Sequence, residues 1–208
     1  MTASAAARKV PRGERRRMEL VDVAEQLFLE RGFSDTTMRM IAERAGASKE
    51  TLYRHFASKE LLFAEIVSRK AMQISGPDAA LARGGKPEVV LTELGLGLVR
   101  TILSGQASCL FRTVVSEAVR TPELGDLFYQ RGPGLMAERL ASYLELASKR
   151  GELRCEHPLG AARLFLGAIA SHYHVRSLVQ SNWSAPTEQE ITGHVDAAVA
   201  MFLARYQP

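Results

Sequence analysis

Cysteine is scarce in this chain. Its 208 residues hold two, Cys109 and Cys155, far apart and in no metal-ligand spacing. A disulfide scaffold and a thiolate metal centre are thereby excluded, and both thiols are expected to be reduced, as in the cytoplasm. Long apolar runs are missing as well. None approaches the ~20 residues that span a bilayer, and the N-terminus lacks the apolar core of a secretory signal. We therefore expect a cytoplasmic chain with no membrane partner. The sequence has no G-x-S-x-G, no P-loop, no H-E-x-x-H and no G-x-G-x-x-G. Gly95 and Gly97 fall inside a helical pattern, without the rest of a dinucleotide fingerprint. His172 and His174 are two apart, so on a helix they point to nearly opposite sides and make a poor metal pair. No catalytic, cofactor or metal site is expected. Strand-like alternation and fixed-period repeats are also absent, which leaves an all-α fold.

What is present is most distinctive from Thr36 to Lys59. Met38, Ile41, Ala42 and Ala45 recur at spacings of three and four, the apolar face of a short helix. Gly46 follows where a left-handed residue would stop that helix. Ser48 can cap a second helix by accepting from backbone N–H groups two or three residues on. Leu52 and Phe56 are its inward positions. Lys49, Glu50, Thr51, Tyr53, Arg54 and His55 are left facing outward. This pattern predicts a helix-turn-helix whose second helix enters the major groove of double-stranded DNA. The charge distribution agrees. Residues 1–59 hold 12 Lys and Arg against 8 Asp and Glu, while residues 60–208 hold 15 of each. The whole formal excess of +4 therefore accompanies the helix-turn-helix, as phosphate binding requires.

Gly32-Phe33, Thr36-Thr37, Ile41-Ala42, Ala45-Gly46, Ser48, Thr51-Leu52-Tyr53, His55-Phe56 and Ser58-Lys59-Glu60-Leu61-Leu62 resemble the DNA-binding domain of TetR-type transcriptional repressors. The resemblance covers about Arg16 to Ile66. It implies a homodimer that reads a palindromic operator and is released by a ligand in the C-terminal domain. By position it puts Thr37, Thr51, Tyr53, His55 and Lys59 at phosphates and Arg39, Lys49 and Glu50 at base edges, with Ser48 and Arg54 on the same face. Glu50 departs from the small or neutral residue common there. A carboxylate beside phosphates needs a cytosine amino group or a cation such as Lys49 or Arg54. The stretch from Leu110 to Pro133, followed by Arg150 to Arg154, resembles the C-terminal domain of the AefR-like subclass.

Three segments follow from this reading: a disordered basic arm over 1–12, the DNA-binding domain over 13–60, and a helical regulatory and dimerisation domain over 61–208. The arm carries Arg8, Lys9 and Arg12; Arg15, Arg16 and Arg17 continue its basic run toward phosphates or a narrow minor groove. A bracing helix is expected from about Gly13 to Arg31, with Leu20, Val21, Ala24, Leu27 and Phe28 as its apolar stripe. A helix from Lys59, with Leu61, Leu62, Ile66 and Met72 inward, should reach a break at Ser75-Gly76-Pro77. A loop over 82–87 comes next. Further helices are expected over about 87–103 and 107–119, from Pro122 to a break or kink at Gly132-Pro133-Gly134, on to about Lys149, and over about 158–181 and 187–206, with Pro87, Pro122 and Pro158 as openings.

Small residues on the penultimate helix (Ala161, Ala162, Gly167, Ala168 and Ala170) allow close helix approach. The last helix is apolar at Val195, Ala198, Val199, Met201, Phe202 and Ala204. Two such helices either complete the monomer's core or meet their copies in a four-helix interface; the family resemblance favours the second. Two-fold symmetry would set two recognition helices about one DNA turn apart, ~34–36 Å. A pocket for a small apolar or amphipathic ligand is expected among Leu110, Phe111, Val114, Phe128, Tyr129, Leu164, His172, Tyr173 and Trp183, with Cys109 and His174 as nearby polar groups. The rival reading is a ligand- or protein-interaction module with a vestigial DNA reader, which would not need the basic outward face.

Overall fold

The computed structural model describes residues 11–73, 85–180 and 183–208, with backbone alone for 70–73. The arm over residues 1–10, the side chain of Met72, the Ser75-Gly76-Pro77 break and residues 82–84 of the expected loop lie outside that set. The described residues form ten helices and no strand. They are α1 (Arg12–Arg31), α2 (Met38–Arg44), α3 (Lys49–His55), α4 (Lys59–Gln73), α5 (Pro87–Leu103), α6 (Gly105–Glu117), α7 (Pro122–Arg131), α8 (Pro133–Lys149), α9 (Pro158–Val179) and α10 (Glu188–Tyr206). The chain divides into two compact units, Met1–Ile66 and Val67–Pro208.

The first unit is built on α1, whose Leu20, Val21, Ala24, Leu27 and Phe28 are all buried. Gly32 ends the helix at φ 81°, a conformation that a Cβ would strain. The chain turns back there, and Phe33 meets Phe28 and Phe63 in a three-ring cluster with centroids 5.3 to 5.7 Å apart. Phe63 belongs to α4, so the early turns of that helix complete the core of this unit. Thr36, fully buried, gives its hydroxyl to the carbonyl of Gly32 at 2.7 Å.

The second unit has α5 at its centre. Val90, Leu91, Leu94 and Val99 are fully buried against Leu140 and Leu144 of α8, Phe165 and Ile169 of α9, and Val195 and Val199 of α10. Gly95 permits the close approach: a Cβ there would lie 2.8 Å from Val195 Cγ1 and 3.2 Å from Ile169 Cδ1. Prolines sit at the first position of α5, α7, α8 and α9, where the missing N–H is no loss and the fixed φ suits a helix. Between α5 and α6 a single residue makes the corner. Ser104 donates its hydroxyl to the carbonyl of Thr101 and accepts from the amide of Ala107. Thr187 opens α10 with a reciprocal capping box to Glu190. Both cysteines are free, and burial pushes the Cys155 thiol up, away from its reactive form. Among the described residues no single helix is long and apolar enough to cross a membrane.

Candidate nucleic-acid interface and ligand cavity

The α2–α3 pair has the expected helix-turn-helix form. Thr37 caps α2 by accepting from the amide of Met40 at 3.3 Å. Gly46 makes the turn at φ 57°. Ser48 caps α3 by accepting from the amide of Thr51 at 3.1 Å and meets its hydroxyl at 2.9 Å. Leu52 is fully buried and Phe56 nearly so, which fixes the rotation of α3 about its axis. Lys49, Glu50, Tyr53 and Arg54 are consequently exposed, and Thr51 and His55 half-buried. Lys49 extends over the Tyr53 ring at 5.7 Å. On α2, Arg39 is exposed and pairs loosely with Glu43 at 3.6 Å. A pair this exposed contributes little, so Arg39 can exchange Glu43 for another anion.

Several basic residues assigned from sequence to the arm or to phosphates have partners within the protein. Arg12, Arg15, Arg16 and Arg17 lie within α1. Arg16 donates to the carbonyls of Ala45 and Gly46 at 2.9 and 3.1 Å. It thereby places a cation at the C-terminus of α2, where the helix dipole favours one. Arg17 forms a two-pronged pair with Glu65 at 2.6 and 2.9 Å and covers the Phe56 ring at 4.8 Å. Lys59, expected at a phosphate, donates to the carbonyls of Phe33 and Thr36 at 2.6 and 2.9 Å and sits 4.2 Å from the centre of the Phe33 ring. These cations brace the reader from within. Sequence position hid this because each partner is supplied by a different element.

The second unit contains a cavity of about 500 Å³. Leu110 and Phe111 of α6, Phe128 and Tyr129 of α7, and His174 of α9 line it, together with Leu98, Met136, Leu166, Gly167 and Ala170. The other sequence candidates lie elsewhere. Val114 is buried and does not line this cavity. Leu164 is 71% exposed and His172 is also exposed, because both occupy the outer face of α9. Tyr173 is buried against Trp183 and His194. Trp183 lines a separate polar recess with Arg176. Gly167 and Ala170, legible in the sequence as small residues, also line the cavity. Met136 and Leu98 carry no sequence signal that separates lining from core.

The polar lining groups differ in availability. Ser108 gives its hydroxyl to the Ile102 carbonyl at 2.7 Å, and Ser171 gives its own to the Gly167 carbonyl. Arg163 is exposed. Burial holds the His174 imidazole below its usual range, so it is neutral near pH 7.

Comparison with known proteins supplies the family. Residues 20–66 match the family model of the bacterial regulatory proteins of the tetR family. Residues 89–208 match that of the AefR-like transcriptional repressor C-terminal domain. The repressor KstR2 of Rhodococcus jostii (strain RHA1) is 52% identical over 52 residues, which is 25% of this chain and 26% of that protein. The match thus spans about a quarter of that curated relative. The regulator UidR of Escherichia coli (strain K12) is 26% identical over 143 residues, 66% of this chain and 68% of its own. Among solved structures, a TetR-family regulator from Mesorhizobium loti MAFF303099 superposes with a TM-score of 0.80 at 30% identity, covering 95% of this chain and all of that one. The flavonoid-responsive regulator FrrA superposes at 0.72 with 32% identity, over 94% and 98% of the two chains. With a family model matching more than half the chain and full-length structural relatives at 30% identity or above, this protein belongs to the TetR family of transcriptional regulators, with an AefR-like C-terminal domain.

Proposed function

We propose that the chain is a cytoplasmic homodimeric repressor that binds a palindromic operator and releases it when a small apolar or amphipathic molecule enters the cavity of the second unit. The observation that carries this reading is the exposed face of α2 and α3. Arg39, Lys49, Tyr53 and Arg54 stand outward while Arg16, Arg17 and Lys59 hold the pair rigid behind them. A vestigial reader would have no use for cations on both sides of that division. In this reading Thr37, Thr51, Tyr53 and His55 meet phosphates, and Arg39, Lys49 and Glu50 read base edges. Ser48 orders the turn, and the segment over 61–208 regulates and dimerises.

The dimer rests on a second feature. Leu164, Val175 and Val179 of α9 and Met201 of α10 are 58% to 71% exposed. Large apolar side chains at such exposure along two neighbouring helices suit burial against the same helices of another copy. Induction is then a population shift, limited by the ligand's differential affinity for the DNA-binding and released states.

Selection of bound sequences from a random duplex library at moderate salt tests the reading. An enriched palindrome is expected, bound with strong salt dependence. The Arg39→Ala variant should lose discrimination at particular base positions, by ~1–3 kcal/mol for a two-pronged contact. No enrichment by protein unfolded and refolded free of small molecules would favour the interaction-module alternative.

A further inference from the structure

One wall of the cavity is made of rings. Phe111 contacts Phe128 with centroids 5.8 Å apart and planes 28° from parallel, and contacts His174 at 4.7 Å and 33°. The rest of the lining is mainly aliphatic or small. Ser108 and Ser171 have given their hydroxyl protons to backbone carbonyls, and the exposed guanidinium of Arg163 is screened by water. His174 differs from these. Its ring is half-buried on the cavity wall, and among the described residues neither nitrogen has a hydrogen-bond partner and neither is cut off from open space. A neutral imidazole offers one N–H donor and one lone-pair acceptor. An unpaired, accessible imidazole on the wall of a mainly apolar cavity is a polar group of the kind that orients a bound molecule.

We propose, taking the cavity as the effector site of the preceding section, that it selects an uncharged planar aromatic molecule whose hydroxyl or carbonyl group bonds to the His174 imidazole. The ring wall favours a flat π-face over an alkyl chain of equal area by about twofold to tenfold. A carboxylate is disfavoured, because burial beside a neutral ring leaves its charge uncompensated. A volume of about 500 Å³ suits a molecule of two or three rings.

The test is calorimetric titration of the full-length protein with 2-naphthol, naphthalene, 2-naphthoate and 1-decanol. The first should bind about threefold to tenfold more tightly than naphthalene, the worth of one hydrogen bond, and more tightly than the other two. In His174→Phe the affinities for 2-naphthol and naphthalene should converge. In His174→Gln, whose amide keeps a donor and an acceptor, part of the preference should return. Circular dichroism melts establish that each variant is folded, and Phe111→Leu, which should weaken 2-naphthol relative to 1-decanol, serves if His174 variants are not. Equal affinities for 2-naphthol and naphthalene in the parent protein would overturn the proposal. So would tighter binding of 1-decanol, a preference that survives His174→Phe, or no binding of 2-naphthol at all.

Release of the selected operator, measured with the same probes, separates this inference from the functional reading. Release by 1-decanol and not by 2-naphthol sinks the aromatic selectivity and leaves the effector site standing. Tight His174-dependent binding of 2-naphthol with operator affinity unchanged upholds the selectivity and refutes the effector role.

Discussion

Replacing Lys59 by methionine distinguishes a brace from a phosphate ligand. Methionine keeps an unbranched apolar stem beside the Phe33 ring and deletes the ammonium. The lost contacts are two short bonds to the carbonyls of Phe33 and Thr36 and a cation 4.2 Å from the ring centre. Each bond from a charged donor contributes ~1.5–3 kcal/mol, and a cation–π contact adds ~0.5–1. Lys59 is only half-buried, so water screens part of this and solvates the released carbonyls in part. A net loss of about 2–3 kcal/mol remains. At roughly 2–4 °C per kcal/mol for a chain of this size, the melting temperature should fall by about 4–12 °C. Scanning calorimetry measures that fall. Operator affinity measured from low to high salt supplies the second readout, and the slope of log K against log salt should stay as in the parent. A melting temperature within about 1 °C of the parent, with a salt slope shallower by about one, would refute the brace and restore the phosphate contact.

Three further perturbations probe other parts of the structure. Gly95→Ala drives a Cβ to 2.8 Å from Val195 Cγ1 and should destabilise by ~1–2 kcal/mol despite the better helix propensity of alanine; adding Val195→Ala should give a loss smaller than the sum of the two singles, and simple additivity in thermal melts would contradict the clash. Ser48→Ala removes the cap of α3 and should lower stability by ~1 kcal/mol, read by urea unfolding, where an unchanged midpoint would deny the cap any weight. His174 has a folded pKa held below its ordinary value by burial, so the unfolded chain takes up a proton first as pH falls. The associated stability is complete above about pH 6.5 and is lost as pH drops below it. Melting temperatures of the parent should therefore fall more between pH 7 and pH 5 than those of His174→Phe, and parallel curves would argue against the shift.

What the sequence made legible was local. Gly46 and Ser48 announce a turn and a cap within a few residues of where they act, and Leu52 and Phe56 fix the outward face by helical period alone. Pro87, Pro122 and Pro158 mark helix starts because a proline's geometry is set before any tertiary contact forms, whereas Pro133, legible only as a break or kink, also opens a helix. The partners of the basic residues were not legible. Arg16 reaches carbonyls 29 and 30 residues away, Lys59 ones 23 and 26 away, and Arg17 a carboxylate 48 away. Nothing in a neighbouring residue signals such a pairing. The cavity was legible by halves: Phe111 and Phe128 stood out as large rings at helical spacing, whereas Leu164 and Val114 carry the same apolar character but face solvent and core. Which side of a helix meets empty space depends on the packing of its neighbours.

One wall of the cavity is held more loosely than the others. Of the ten residues of α7, Leu124 is the one fully buried, whereas α8 buries six. Phe128 and Tyr129, which close the cavity on that side, thus ride on a helix with a single anchor. Local opening free energy follows buried apolar contact, so the amides of α7 should exchange with deuterium well before those of α8. A transient fraying of this one short helix would then widen the cavity to admit a ligand, while the four-helix core around α5 stays shut.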